Sequence, residues 1–581
     1  VALYFGDVQA PLFGWWHAPG PVQRPGAAVL LCAPFGMEEL NAHRAWRALA
    51  RQLAQAGAHV LRYDYPNCGD SAGDVSDLDL LPAWQRSVHQ GIDELKRRSG
   101  QLNVVLVGLR LGALLAMRAA LERDDVAGYA AIAPVLSGRA YVREMRALQA
   151  TAAKNDDSDP VFDGLESGGF AINAATLDSL LTIDLRQPAR APAGRCLLVD
   201  RAKMPSLERF AAALSASGAS VDLQVLPGYE ELMLEPHTSR EPLAMWAAVV
   251  RWLDGLKAVA AACAATGPNA DAPATAEFDG VCETALSFSV LRGTVQAVLT
   301  QPPSPLPASK IVLMLNAGAA RRVGLGRSYV SLARQLARNG QRALRVDLCG
   351  LGDSDAQPGA EDTVVYSATA VAEVRALVLA LHQSFGAGEV AIVGWCSGAY
   401  HALMAAAQGA EVSAVVAINP LTYVWHEGMQ LDSALQPFEV IEKSSHLFGA
   451  VFSSARWRQL LRREVELATL AAVLWAWVRA HGERNARFVA RVVHWPMKVD
   501  LARDLRTAAQ RNVHFHFLFA EGDPGEALLH EQAGNAVRRL VQEGAVQIRR
   551  IAGADHIFSR RARRMELLAF VLAGLADNGF L

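Results

Sequence analysis

The residues best suited to covalent chemistry are Cys396, Asp523 and His556, spread across the second half of a 581-residue chain. Cys396 sits in "VGWCSGA", where Gly394 and Gly398 bracket it as G-x-C-x-G between an aliphatic run and a helical segment. A nucleophile on a tight strand-to-helix turn needs small residues two before and two after it. The helix start then favours a thiolate and offers backbone N–H groups to an oxyanion. On this spacing Cys396 is the nucleophile and Ser397 supplies an oxyanion N–H. A second set of donors is expected from the loop "NAGAARRVG", at Ala317, Gly318 and Ala319. "LFAEGDPG" ends a strand-like run in Glu521-Gly-Asp523, and Asp523 is the expected acid with Glu521 in reserve. "IAGADHIF" places His556 in a loop after the last strand, where an imidazole can deprotonate the thiol and later activate an acceptor. Trp395, Trp425, Arg321 and Arg322 are the expected substrate contacts.

These residues need a scaffold, and the chain supplies it twice. "LARQLAQAG" from Leu49 returns as "LARQLARNG" from Leu332, an offset of 283 (332 − 49). "VLRYDYPNCGDS" from Val60 matches "ALRVDLCGLGDS" from Ala343 at the same offset, and "VVLVGLRLGALLAM" from Val104 matches "VAIVGWCSGAYHAL" from Val390. Long, ordered matches mean two copies of one domain. Each copy alternates buried strand-like runs with amphipathic helical segments, which predicts an α/β fold with a mostly parallel sheet covered by helices on both faces. The expected boundaries are 1–257, an Ala/Pro-rich linker at 258–280, and 281–581. The span from about 421 to 500 is longer than a connection requires. It holds Tyr423, Trp425, Trp457, Trp475, Trp477 and Trp495 and eight arginines between Arg456 and Arg491, and is read as a helical cap.

The first copy departs from the pattern. Its elbow reads Gly108-Leu109-Arg110-Leu111-Gly112, and a guanidinium is no nucleophile. Laying the strings over one another puts Ala202 near the place of Asp523 and Glu231 opposite His556. An Arg110–Glu231 pair would explain two of these changes, since a buried arginine needs a carboxylate. Binding of an anionic group by Arg110 is the alternative.

The "GDS" segments, "GWCSG", "EGD" and "GADH" together resemble the α/β-hydrolase superfamily over nearly the whole length, as two tandem domains. The strings are most similar to serine-aminopeptidase-like and exosortase-associated hydrolases. The elbow Cys resembles that of dienelactone hydrolase and of the acyl- and aminoacyl-shuttling enzymes of nonribosomal peptide pathways. The resemblance implies a Cys-His-Asp acyltransferase or thioesterase, with no bound cofactor but a phosphopantetheine-linked substrate on an acidic carrier protein. A soluble hydrolase of small esters or lactones and a non-catalytic scaffold are the alternatives.

Composition narrows the field. With 56 Lys+Arg against 58 Asp+Glu and 51% hydrophobic residues, the chain is neither disordered nor a basic nucleic-acid binder. Seven cysteines without a C-x-x-C pair argue against a disulfide framework or zinc site. No apolar run reaches the ~20 residues of a membrane span. No signal-peptide pattern opens the sequence, so a cytoplasmic protein is expected, its two copies packed as an internal pseudo-dimer.

Overall fold

A computed structural model describes residues 1–20, 26–74, 79–152, 162–256, 273–304, 310–426, 429 and 500–581. Most of the expected cap, residues 430–499, therefore lies outside the described residues.

The first half forms an eight-stranded sheet and a separate hairpin. The strands in chain order are β1 (Ala2–Gly6), β2 (Pro11–His17), β3 (Ala28–Cys32), β4 (His59–Tyr63), β5 (Val104–Leu109), β6 (Val126–Ile132), the hairpin pair β7 (Gly164–Ser167) and β8 (Phe170–Asn173), then β9 (Arg195–Arg201) and β10 (Ser220–Leu226). The second half adds β11 (Thr275–Phe278), β12 (Val281–Val290), β13 (Gly293–Gln301), β14 (Ile311–Leu315), β15 (Arg342–Asp347), β16 (Val390–Trp395), β17 (Ala414–Ile418), β18 (His514–Ala520) and β19 (Val546–Ile551).

The sheet orders are β1-β2-β4-β3-β5-β6-β9-β10 and β11-β12-β13-β15-β14-β16-β17-β18-β19. From β4 and from β15 onward the pairings are parallel. The central strands "AVLLC", "VVLVGL", "IVLML" and "VAIVGW" are buried at every residue. A parallel sheet covered on both faces demands continuous apolar runs of this kind, because neither side of the pleat meets water. Strand β11 lies inside the segment read as linker, so the second sheet starts earlier than the expected 281.

The two "GDS" turns face each other across the contact between the halves. Arg62 donates to Asp353 Oδ1 at 2.7 Å, and its counterpart Arg345 pairs with Asp70. Ser71 Oγ accepts from Phe13 N and Ser354 Oγ from Gln296 N, both at 2.8 Å. Arg47 donates to the Ser354 carbonyl at 2.9 Å and Arg334 to the Ser71 carbonyl at 3.2 Å. Arg321 and Arg322 belong to this contact rather than to a substrate site. Arg321 grips Asp64 through both terminal nitrogens, at 3.1 and 3.0 Å, and pairs with Glu39 at 2.9 Å. Arg322 donates to Asp70, Asp347 and Asp353 at 2.7, 2.7 and 2.8 Å, with all four side chains almost wholly buried. Sequence alone could not foresee this, because Asp64 and Asp70 lie some 250 residues away in the other copy.

Candidate active site

The reactive groups stand at the carboxyl ends of β16, β18 and β19, the edge where parallel α/β sheets bind ligands. Cys396 joins β16 to the helix Ser397–Ala407 with φ 55° and ψ −113°, backbone angles that L-residues rarely adopt. Its N–H is tied to the Ile418 carbonyl at 2.9 Å. The flanking glycines are required by space. A Cβ on Gly394 would lie 2.2 Å from the Gly398 carbonyl oxygen, and one on Gly398 would lie 2.6 Å from that of Asn316. The thiol is half-buried.

Asp523 caps the helix Pro524–Gln542, one carboxylate oxygen accepting from Gly525 N at 2.9 Å. The other oxygen accepts from His556 Nδ1 at 2.7 Å. Glu521, the reserve acid, is exposed and makes no such contact. His556 Nε2 is buried and has no hydrogen-bond partner closed upon it. Burial pulls the imidazole down, but the hydrogen bond to Asp523 and the neighbouring Cys396 sulfur outweigh it and raise the ring to about 10. The ring is thus an imidazolium at neutral pH, the form that stabilises a cysteine thiolate.

The histidine loop is held from below. Asn419 Nδ2 donates to the His556 carbonyl at 2.7 Å, while its Oδ1 accepts from Ala520 N at 2.9 Å. Trp395 Nε1 donates to the same His556 carbonyl at 3.3 Å, and its ring packs edge-to-face on Phe558. Trp395 is 1% exposed, so it positions the loop and does not meet substrate as expected. Asn419 was not foreseen. The one signal available is that "INP" in this copy reads "IAP" at Ile132-Ala133-Pro134, so the asparagine accompanies the histidine.

Of the expected oxyanion donors, Ser397 begins the helix and is 1% exposed. Ala317, Gly318 and Ala319 follow β14, and Gly318 N donates to Ser397 Oγ at 3.0 Å. The serine hydroxyl therefore occupies one donor of the loop that a substrate oxygen would use. Trp425 is half-buried and stacks on Tyr366 at 4.2 Å; Tyr423 is buried, its hydroxyl donating to the Gly525 carbonyl at 2.9 Å. Trp457, Trp475, Trp477, Trp495 and the cap arginines lie outside the described residues. Among the described residues no group of three or more His, Cys, Asp or Glu side chains is placed to hold a metal ion. Nor is any helix among them long and apolar enough to cross a membrane.

The first copy keeps the elbow and loses the chemistry. Arg110 has φ 53° and ψ −117°, nearly the angles of Cys396. Its partners are Glu38 at 2.5 Å and Glu144 at 2.7 Å, not Glu231, which is exposed. Burial works against the Arg110 charge, but Glu38, Tyr229 and Glu144 outweigh it and hold the guanidinium above its ordinary value. Both partners of the Arg110 guanidinium are thus carboxyl groups of its own domain. Ala202 N bonds the Leu226 carbonyl as Glu521 N bonds that of Ile551, and Met204 N bonds that of Arg201 as Asp523 N bonds that of Ala520. Met204, not Ala202, stands in the place of Asp523.

Comparison with known proteins agrees with the architecture. Residues 25–157 match the serine aminopeptidase S33 family and residues 310–440 the alpha/beta hydrolase fold family. No curated protein matches the chain. Among solved structures, a dienelactone hydrolase from Anabaena variabilis is similar at 14% identity, with 51% of this chain and 98% of that one covered and a TM-score of 0.32. Est1E from Butyrivibrio proteoclasticus is similar at 18% identity, covering 43% and 97%, with a TM-score of 0.33. An alpha-beta serine hydrolase homologue from Coxiella burnetii is similar at 12% identity, covering 50% and 96%, with a TM-score of 0.29. The two family matches fall one on each parallel sheet, and the chain is built from two α/β-hydrolase-fold domains in tandem.

Proposed function

We propose that the second domain is an acyl-transfer enzyme that works through a thioester on Cys396. The observation that carries this reading is the Asp523–His556 hydrogen bond of 2.7 Å beside a cysteine held on a strained elbow. The Cys396 thiolate adds to the carbonyl of an ester or thioester. Backbone N–H groups at Ser397 and at Ala317 or Ala319 receive the oxyanion, the Gly318 N–H being held by Ser397 Oγ. Collapse of the adduct breaks the bond to the leaving group, which takes its proton from the His556 imidazolium. The neutral imidazole then removes a proton from the acceptor as the acceptor adds to the thioester. Collapse of the second adduct frees the acyl product and returns the thiolate, and the imidazole keeps the proton it took from the acceptor. Asp523 holds the ring with Nε2 toward the sulfur throughout.

Sulfur favours exchange over simple hydrolysis, because thiol–thioester exchange is nearly balanced in free energy. The finer reading is a carrier-protein-dependent acyl- or aminoacyltransferase or thioesterase whose donor is a phosphopantetheine thioester. It rests on the eight arginines that the sequence carries between Arg456 and Arg491; Arg321 and Arg322 do not support it. We read the two copies as an internal pseudo-dimer in the cytoplasm, supported by the paired Arg62–Asp353 and Arg345–Asp70 contacts.

The test supplies acyl groups as an acidic carrier thioester, a free small thioester and a free ester or lactone, each with water or an added thiol or amine acceptor. Acyl transfer predicts product on the acceptor at the expense of free acid. Turnover to free acid alone, from ester or lactone, replaces the reading with a soluble hydrolase. No turnover and no covalent adduct with any donor leaves a scaffold.

A further inference from the structure

The loop that presents His556 is supported by a part of the first domain that carries no catalytic group. After His556 the chain turns through Phe558, at φ 47°, into the helix Arg561–Asp577. Arg564 on that helix donates to the carbonyls of Phe558 and Ser559, both at 3.0 Å, and so closes the loop onto the helix. The helix start needs an outside acceptor, because Arg560 at its N-cap makes no side-chain cap hydrogen bond.

That acceptor comes from the other domain. Glu166 lies on the β7–β8 hairpin, 7% exposed, and its Oε2 accepts from Arg561 N at 3.2 Å. A carboxylate at a helix N-terminus satisfies an orphan N–H and meets the positive end of the helix dipole. Burial pulls the Arg564 guanidinium down to about 10, and Glu166 is the foremost charge opposing that pull. The hairpin tip is fitted to the site by glycines on both sides. A Cβ on Gly326 would lie 2.3 Å from the Gly169 carbonyl oxygen and 2.8 Å from Arg564 Cζ; one on Gly168 would lie 2.6 Å from Met37 Cγ. Phe162, just before the hairpin, lies under the Arg561 guanidinium at 5.5 Å.

We propose that Glu166 is a positioning residue for His556: by capping the helix Arg561–Asp577 from the first domain, it fixes the loop that holds the imidazole against Cys396. The degenerate copy thereby acts on the chemistry of its partner without a catalytic group of its own. The proposal rests on the His556–Cys396 pairing, and it stands whatever the acyl substrate is.

The experiment uses the full chain and measures the rate of Cys396 alkylation by iodoacetamide, followed by peptide mass spectrometry, from pH 5 to pH 10. A thiol is alkylated faster when a neighbouring imidazole is held in place beside it, so the rate reports where His556 stands. Glu166→Ala is expected to slow alkylation at pH 6 roughly five- to ten-fold, with little change at pH 10, where an ordinary thiol ionises without a neighbouring base. Glu166→Gln keeps the volume and an acceptor oxygen, guards against a general loss of fold, and is expected to lose less. His556→Ala sets the limit of complete loss. Unchanged profiles in both Glu166 variants, beside a changed His556→Ala, overturn the positioning role alone. An unchanged His556→Ala profile overturns the pairing itself, and the acyl-transfer reading with it.

Discussion

Replacing Arg322 by methionine removes one guanidinium from a buried cluster of three carboxylates. Asp70, Asp347 and Asp353 each lie at hydrogen-bond distance from it, and each has no exposed side-chain surface. Other partners remain: Arg345 for Asp70, Arg62 and His43 for Asp353, and Asn316 for Asp347. The three contacts therefore do not add. Breaking a buried pair by removing one side costs about 3–5 kcal/mol, and that is the loss expected at pH 7. Because Arg322 joins the two domains, the early part of a urea transition followed by tryptophan fluorescence should move, and the domains should separate into two steps. Burial opposes the charge of Asp70 and of Asp353. Arg322 and Arg345 nonetheless hold Asp70 well below the usual carboxylate range, and Arg62, His43 and Arg322 do the same for Asp353. Such groups stabilise the fold above the unfolded carboxylate value of about 3.8 and lose that contribution as pH falls below it. The gap between wild type and variant should thus be full at pH 6 and shrink below about pH 4. A loss under about 1 kcal/mol at pH 7, or a gap that widens in acid, would refute the view that this cluster holds the domains together.

Three further outcomes are expected. His556 is raised to about 10, so its contribution to stability is complete below about pH 6.5 and lost as pH rises through 10; His556→Asn should cost about 1–3 kcal/mol in guanidinium titrations at pH 6 and almost nothing above pH 10.5. Asn419→Ala removes the hydrogen bonds to the His556 carbonyl and to Ala520 N, and should lower kcat by about ten-fold with KM little changed; an equal rise in KM would assign Asn419 to substrate instead. Gly394→Ala places a methyl 2.2 Å from the Gly398 carbonyl oxygen and should destabilise the chain by more than about 3 kcal/mol; a variant with wild-type Tm would show that the elbow relaxes freely.

What the sequence disclosed depended on distance along the chain. The elbow was legible because its whole geometry is written in five consecutive residues, and the Asp523–His556 hydrogen bond because each partner closes a recognisable strand. Duplication exposed the scaffold, since matched strings at a constant offset place the strands without any packing argument. The partners of Arg321, Arg322 and Arg110 were hidden, because a side chain's neighbours across a domain contact leave no local pattern. Arg110 meets Glu38 and Glu144, which no alignment of the two copies brings forward. The exchange of Met204 for Ala202 has a local cause: the strand-end turn of the first copy differs in sequence from "AEGD", so an alignment by letters slips where an alignment by carbonyl partners does not. Trp395 looked like a pocket residue because it adjoins the nucleophile, but alternation along β16 turns it into the core.

In the proposed mechanism Cys396, not Ser397, takes the acyl group. Brief incubation with an activated thioester, acid quench and peptide mapping tests it directly. One acyl adduct is expected on the peptide containing Cys396, labile to hydroxylamine, absent in Cys396→Ala and retained in Ser397→Ala. An adduct that survives in Cys396→Ala, or that maps to Ser397, would contradict it.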